Sequence, residues 1–320
     1  MGRSSGTTTA TGTGPITDPF VHDPALVPLR TAALEGDWAA TRAFFTGLDS
    51  PEKVTFASGL LARRHGVETY LEEAAAALPA DPLPRTLLAD RYVRIGWDIR
   101  SAARAKDVSR EQFDRFHDWL RRAERLLIEV CAEQPGYAPA WTIRLLTARG
   151  LELGQSEARR RYDRLSAVQP HAYRAQTLLL QQLCPKWGGS WDAAHGFAQE
   201  CATRAPNGSY AGALVADAHI EHWLDLDSGE DAAYMRGIPV RDDLRHAAQV
   251  SVLHPDHRPD WHETAAHSTF ALAFCLGGHF ADAARHFAAL GDRVTEFPWA
   301  YLPNWKSRYA KFRDTALATL

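Results

Sequence analysis

Thr269 to Leu290 reads TFALAFCLGGHFADAARHFAAL, two runs of small and aromatic residues around a glycine pair. Ala271 and Phe274 stand three apart in the first run, and Ala283 and Phe287 four apart in the second. Either spacing puts both side chains on one face of a helix. Gly278 lies between the runs, where the chain must reverse tightly; glycine adopts the required backbone at no steric penalty. The stretch therefore predicts two antiparallel helices. Their small residues permit a close crossing and their aromatics fill the space between. Neither helix alone covers its apolar face, so the pair must stack on others.

The same pattern recurs upstream. Leu34 to Phe45 carries Gly36, Trp38 and Phe45. Gly188 to Ala198, GGSWDAAHGFA, offers Gly189 as the turn, Trp191 as the following aromatic and Ala194 as the small residue. Helices are expected to end before Pro135, Pro170 and Pro206, at spacings of 35 and 36 residues, while Gly154 and Gly189, 35 apart, break pairs internally. The clearest single helix is Ser109 to Gln134. There Phe113, Phe116, Leu120, Ala123, Leu127 and Val130 form one apolar stripe, with Arg121, Glu124 and Arg125 elsewhere on the wheel. Runs of alternating β-branched residues are nearly absent.

A period of about 34 residues is the signature of tetratricopeptide (TPR) repeats, and the chain resembles them. The fold class this implies is all-α, a TPR-like α-solenoid of stacked antiparallel helix hairpins with irregular units. More narrowly, the chain is similar to a bacterial family of TPR-like proteins. That resemblance rests on Trp97-Asp98-Ile99-Arg100, on Pro185-Lys186-Trp187-Gly188-Gly189-Ser190 and on Ala218-His219-Ile220-Glu221-His222-Trp223. It covers roughly Leu87 to Trp223 and implies a fold without supplying an activity.

Composition narrows the classes. Of 320 residues, 45% are hydrophobic and 23% charged, with a formal net charge of -3. Those values suit a soluble globular chain and offer no basic excess for a nucleic-acid backbone. The run Arg159, Arg160, Arg161 and Arg164 is expected to be a solvated helix face. Cys131, Cys184, Cys201 and Cys275 form no C-x-x-C pair and read as free buried thiols of a reducing cytoplasm. No apolar run is long enough to span a bilayer, so no membrane association is expected. Residues 1–22, rich in Thr, Gly and Ser, read as a disordered tail that lacks a signal-peptide apolar core, and 23–320 as the helical repeat domain.

Two regions break the period. Helices between Pro84 and Gln134 look too long for regular units. Pro206 and Pro255 are 49 residues apart, and the interval holds Asp225, Asp227 and Glu230 in a polar turn and Met235-Arg236-Gly237-Ile238-Pro239, expected to be loop. Position 12 of the only calcium-loop-like spelling is Arg236, which excludes an EF-hand.

Candidate site residues cluster at these breaks. Ser190 is placed to cap the helix that follows Lys186-Trp187-Gly188-Gly189, with Asp192 in its first turn. A helix N-terminus beside a lysine can bind a carboxylate or phosphate, although the ordinary reading is a turn with Trp187 packed and Lys186 solvated. His219 and His222 share a helical face and could share a metal, with His254, His257, His262 and His267 downstream. Glu221 points away from His219 by roughly 200°. His262-Glu263 and His267 are spaced one residue too far for a zinc-protease motif. Fourteen histidines favour coincidence, so no metal is expected. Asp98 and Arg100 beside Trp97 could bind a polar ligand or simply pair within the fold. No nucleophile elbow, dinucleotide loop or P-loop occurs, and no cofactor is expected. The leading expectation is a scaffold that binds a protein or peptide partner on a concave surface. The alternative is an enzyme or small-ligand binder with a pocket lined by Lys186, Trp187, His219, Glu221 and His222.

Overall fold

A computed structural model describes residues 14–101 and 107–320. Among these the chain is all-α. Its helices are α1 (Pro19–His22), α2 (Val27–Glu35), α3 (Trp38–Thr46), α4 (Pro51–Ala62), α5 (Val67–Ala77), α6 (Pro82–Arg100), α7 (Arg110–Glu133), α8 (Ala138–Gly150), α9 (Gln155–Ser166), α10 (Tyr173–Leu183), α11 (Trp191–Arg204), α12 (Ala213–Asp225), α13 (Glu230–Arg236), α14 (Ile238–Val250), α15 (Glu263–Leu276), α16 (Phe280–Leu290) and α17 (Trp305–Leu317). The extended pairing among the described residues is one isolated bridge, Ile16 with Arg293. No described helix is long and apolar enough to cross a membrane.

The expected punctuation is where it should be. Ser109 caps α7 in a full capping box, its hydroxyl accepting from Gln112 N while the Gln112 side chain returns to Ser109 N. The helices α7, α9 and α11 stop before Pro135, Pro170 and Pro206. The pair α15 and α16 is joined through Gly278 at φ +73°, and Ala271, Phe274, Ala283 and Phe287 are all buried. All four cysteines are free and buried.

Helices adjacent in sequence pack together from α5 through α12. A second set of contacts runs α6 to α8, α8 to α10, α10 to α12 and α12 to α15. These helices make a continuous inner row. Accordingly α8, α12 and α15 are buried around most of their circumference, whereas α7, α9 and α16 bury a single stripe.

The chain also closes on itself, which an open array of nearest-neighbour units would not do. Helix α4 touches both α8 and α10. Its Glu52 accepts from Arg174 N (2.9 Å) and Gln169 Nε2 (2.9 Å) and pairs with His262 Nε2 (3.2 Å). Trp261 Nε1 donates to Asp23 Oδ2 at 2.5 Å. These contacts draw the first helices against the last and turn the inner row around a cleft.

Three expectations change. Residues 14–22 pack rather than trail: Ile16 N donates to Asp292 O (2.8 Å) and Val294 N to Ile16 O (2.9 Å), and α1 follows; residues 1–13 lie outside the described residues. The segment Met235–Pro239 is not loop. Helix α13 runs through Arg236 and α14 starts at Ile238, because Pro239 falls in a first helical turn, where no backbone N–H is needed. The basic run of α9 is solvated except at Arg161, which is 2% exposed and bonds Glu124 and Glu157.

Candidate anion-binding cleft

The cleft encloses about 370 Å³ and is lined by residues of α4, α6, α8, α10 and the short 3₁₀ turn Pro185–Trp187. Five cationic side chains line it: Arg63, Arg94, Arg149, Arg174 and Lys186. One acid, Asp90, stands among them. Trp97, Trp187, Val93, Leu146 and Ala62 supply apolar wall.

Two of the five cations are committed. Arg94 Nε pairs with Asp98 one helical turn on (2.9 Å), and both are largely solvated. Lys186 Nζ donates to Glu221 Oε2 at 2.5 Å. Glu221 is 4% exposed and is held further by Gln181 Nε2 (2.6 Å) and Tyr301 OH (2.8 Å) on Oε1. The other three guanidiniums, of Arg63, Arg149 and Arg174, have no side-chain hydrogen bond or ion pair among the described residues. Arg63 and Arg174 reach solvent, yet both stand in a concavity that strips hydration, which lowers their pKa; the neighbouring guanidiniums Arg94 and Arg174 lower that of Arg63 further.

Arg149 is the most constrained. Its guanidinium carbon lies 5.7 Å from the Trp97 ring and 5.6 Å from the Trp187 ring, and the two indoles meet edge to face at 6.3 Å. The tryptophans thus clamp it by cation–π attraction. Its Nε and Nη1 are buried without an acceptor. That leaves Nη2 as the nitrogen open to the cleft. Burial pushes the Arg149 pKa down to about 10, so the group stays charged at neutral pH.

Backbone details hold this wall in place. Gly188 turns at φ +83°, and a Cβ at Gly189 would lie 1.9 Å from Leu183 O. Gln155 Nε2 donates to Trp187 O (2.8 Å) and Gln182 O (2.6 Å). Ser190 caps α11 by accepting from Ala193 N (3.1 Å), as its sequence position suggested, and does not line the cleft.

The structure divides the site residues read from the sequence. Trp97, Lys186 and Trp187 share the cleft, with Glu221 behind Lys186. Asp98 is spent on Arg94. Arg100 lies at the end of α6 over Phe113 (6.0 Å) and bonds Ser101 O. His219 and His222 do not join Lys186, because α12 presents them on another face. There His195 Nε2 meets His222 Nδ1 (3.1 Å), and His219 Nδ1 meets Tyr234 OH (2.6 Å). Among the described residues no set of three or more His, Cys, Asp or Glu is arranged to hold a metal ion. Glu263 binds His257 (2.7 Å) and His267 (3.0 Å) in a separate buried network. Sequence reasoning missed Arg63, Asp90, Arg149 and Arg174. The one signal available was a charge inside an apolar helical run, as in TIRLLTARG, Thr142 to Gly150.

A larger depression, about 610 Å³, lies over Asp118, Arg121, Arg122, Glu124, Arg125 and Leu151. Its charges are largely used: Arg121 pairs with Asp118, Arg122 stacks on Tyr92 and Trp119, and Glu124 is saturated by Arg144, Arg161 and Thr147. No family model matches the chain, and no curated protein matches it.

Proposed function

We propose that this chain is a TPR-like binding protein whose closed inner row holds a small anionic ligand in the cleft between α4, α6, α8 and α10. One observation carries the reading: three guanidiniums from three helices converge on one cavity with no protein acceptor. Arg149 keeps two nitrogens buried without an acceptor, and three cations crowded into one concavity attract an anion. Arginine supplies planar forks suited to carboxylate and phosphate oxygens. The volume falls at the low end of small-molecule sites, which favours a compact ligand over an extended peptide. The lining contains one carboxylate and no serine, cysteine or histidine, which favours binding over catalysis.

The test is a thermal-shift panel of inorganic phosphate, citrate and an acidic peptide, run on the wild type and on Arg149→Met. Phosphate or citrate is expected to raise the wild-type melting temperature and to act weakly on the variant. Stabilisation by the peptide alone would restore the protein-partner reading, and an equal response of both proteins would remove the cleft as the site.

A further inference from the structure

The cleft's single acid specifies more than charge. Asp90 sits on α6 at 7% exposure, with Oδ2 accepting from Ser58 Oγ at 2.6 Å. No described residue bonds Oδ1, yet Oδ1 is not among the buried unpartnered oxygens, so it opens on the cleft. Four arginines line the same cavity, and none lies within ion-pair distance of Asp90. The next residue, Arg91, shows the contrast: at 2% exposure it pairs with Glu68 Oε2 (2.8 Å) and donates to Ala62 O (2.9 Å). Asp90 acts on Arg174, Arg63 and Arg94 through space and touches none of them. Asp90 is instead held by a hydroxyl and left with an acceptor facing the ligand space.

We infer that Asp90 reads a hydrogen-bond donor on the ligand, so that the cleft takes an anion carrying a hydroxyl or ammonium group beside its charge. This rests on the anion-binding reading above. A carboxylate beside a bound anion repels it, and a ligand donor on Oδ1 reverses that penalty. The arrangement therefore rejects plain anions as well as accepting substituted ones. Hydroxy acids, amino acids and polyol phosphates share this chemistry.

Calorimetric titration with two matched pairs separates the possibilities: succinate against malate, and propyl phosphate against glycerol 3-phosphate. The members of each pair differ in hydroxyl groups. In at least one pair the hydroxylated member is expected to bind wild type about tenfold tighter or more, as for a hydrogen bond to a charged acceptor. In Asp90→Asn the preference should shrink to about threefold or less, while the plain anion binds as well as before or better. Asp90→Leu should erase the preference, and thermal melting verifies that each variant is folded. Equal wild-type affinity within both pairs overturns the inference and leaves the anion reading standing. An undiminished preference in both variants assigns the acceptor of the ligand's donor to another residue and also overturns it. Failure of all four compounds to bind wild type removes the anion reading and this inference together.

Discussion

Replacing Arg149 by methionine should make the protein more stable and less able to bind. The side chains are similar in length, and both can lie between Trp97 and Trp187. The substitution removes two buried N–H groups, on Nε and Nη1, that have no acceptor. Each such group costs about 1–3 kcal/mol. It also removes cation–π attraction to the two indoles, about 0.5–1 kcal/mol each. The balance is a gain of about 0–5 kcal/mol. For a chain of this length, with an unfolding entropy of roughly 2.1 cal/mol/K per residue, each kcal/mol moves Tm by about 1.5 °C. Arg149→Met should therefore melt up to about 7 °C higher in ligand-free buffer, and urea unfolding should show a shifted midpoint at constant slope. Destabilisation of the variant by more than about 1 kcal/mol would mean that Arg149 is satisfied within the fold.

Other perturbations test the frame around the cleft. Glu124→Ala strands Arg144 and Arg161, both buried against that carboxylate, and should cost about 3–5 kcal/mol in urea unfolding; a loss under about 1 kcal/mol would mean the network contributes little. Gly189→Ala drives a methyl into Leu183 O and should lose about 2–3 kcal/mol while weakening anion binding through Trp187; a silent phenotype by melting and titration would show that the turn adapts. Burial lowers His195 to about 4 and His219 to about 3, so the folded state keeps both neutral. Below their ordinary value of 6.5 the unfolded chain binds protons that the folded one refuses, so stability must fall as pH drops from about 6.5 towards those lower values. Each histidine adds a slope of up to about 1.4 kcal/mol per pH unit. His219→Gln should flatten the dependence measured between pH 6.5 and 4, and an unchanged slope would contradict it.

The helices were legible because their signals are local. Ser109 with Gln112 announces the start of α7, and the stripe from Phe113 to Val130 fixes its buried face. Gly278 and the flanking alanines and phenylalanines announce α15 and α16. The cleft was only half legible. Trp97, Lys186 and Trp187 stood out as unusual clusters, whereas Arg63, Arg149 and Arg174 are scattered over the end of α4, α8 and α10. Nothing in their spacing separates them from Arg91 or Arg144, which lie in similar helical runs. The difference is tertiary. Glu68 and Glu124 form ion pairs with the second group, and among the described residues no acid comes within ion-pair distance of the first. The closure of α4 onto α8 and α10, which creates the cavity, likewise depends on contacts such as Glu52 with Gln169 that span 117 residues. The pairing of Met235–Pro239 into two helices was hidden because Gly and Pro mark a helix start as readily as a loop.

The most direct measurement is a crystal structure of the protein soaked with glycerol 3-phosphate or malate. Anion density is expected in the cleft, within hydrogen-bond reach of Arg149 Nη2 and of the Arg63 or Arg174 guanidinium, with the ligand hydroxyl on Asp90 Oδ1. Density confined to the depression over Asp118 and Arg121, or a cleft occupied by water alone at saturating ligand, would contradict it.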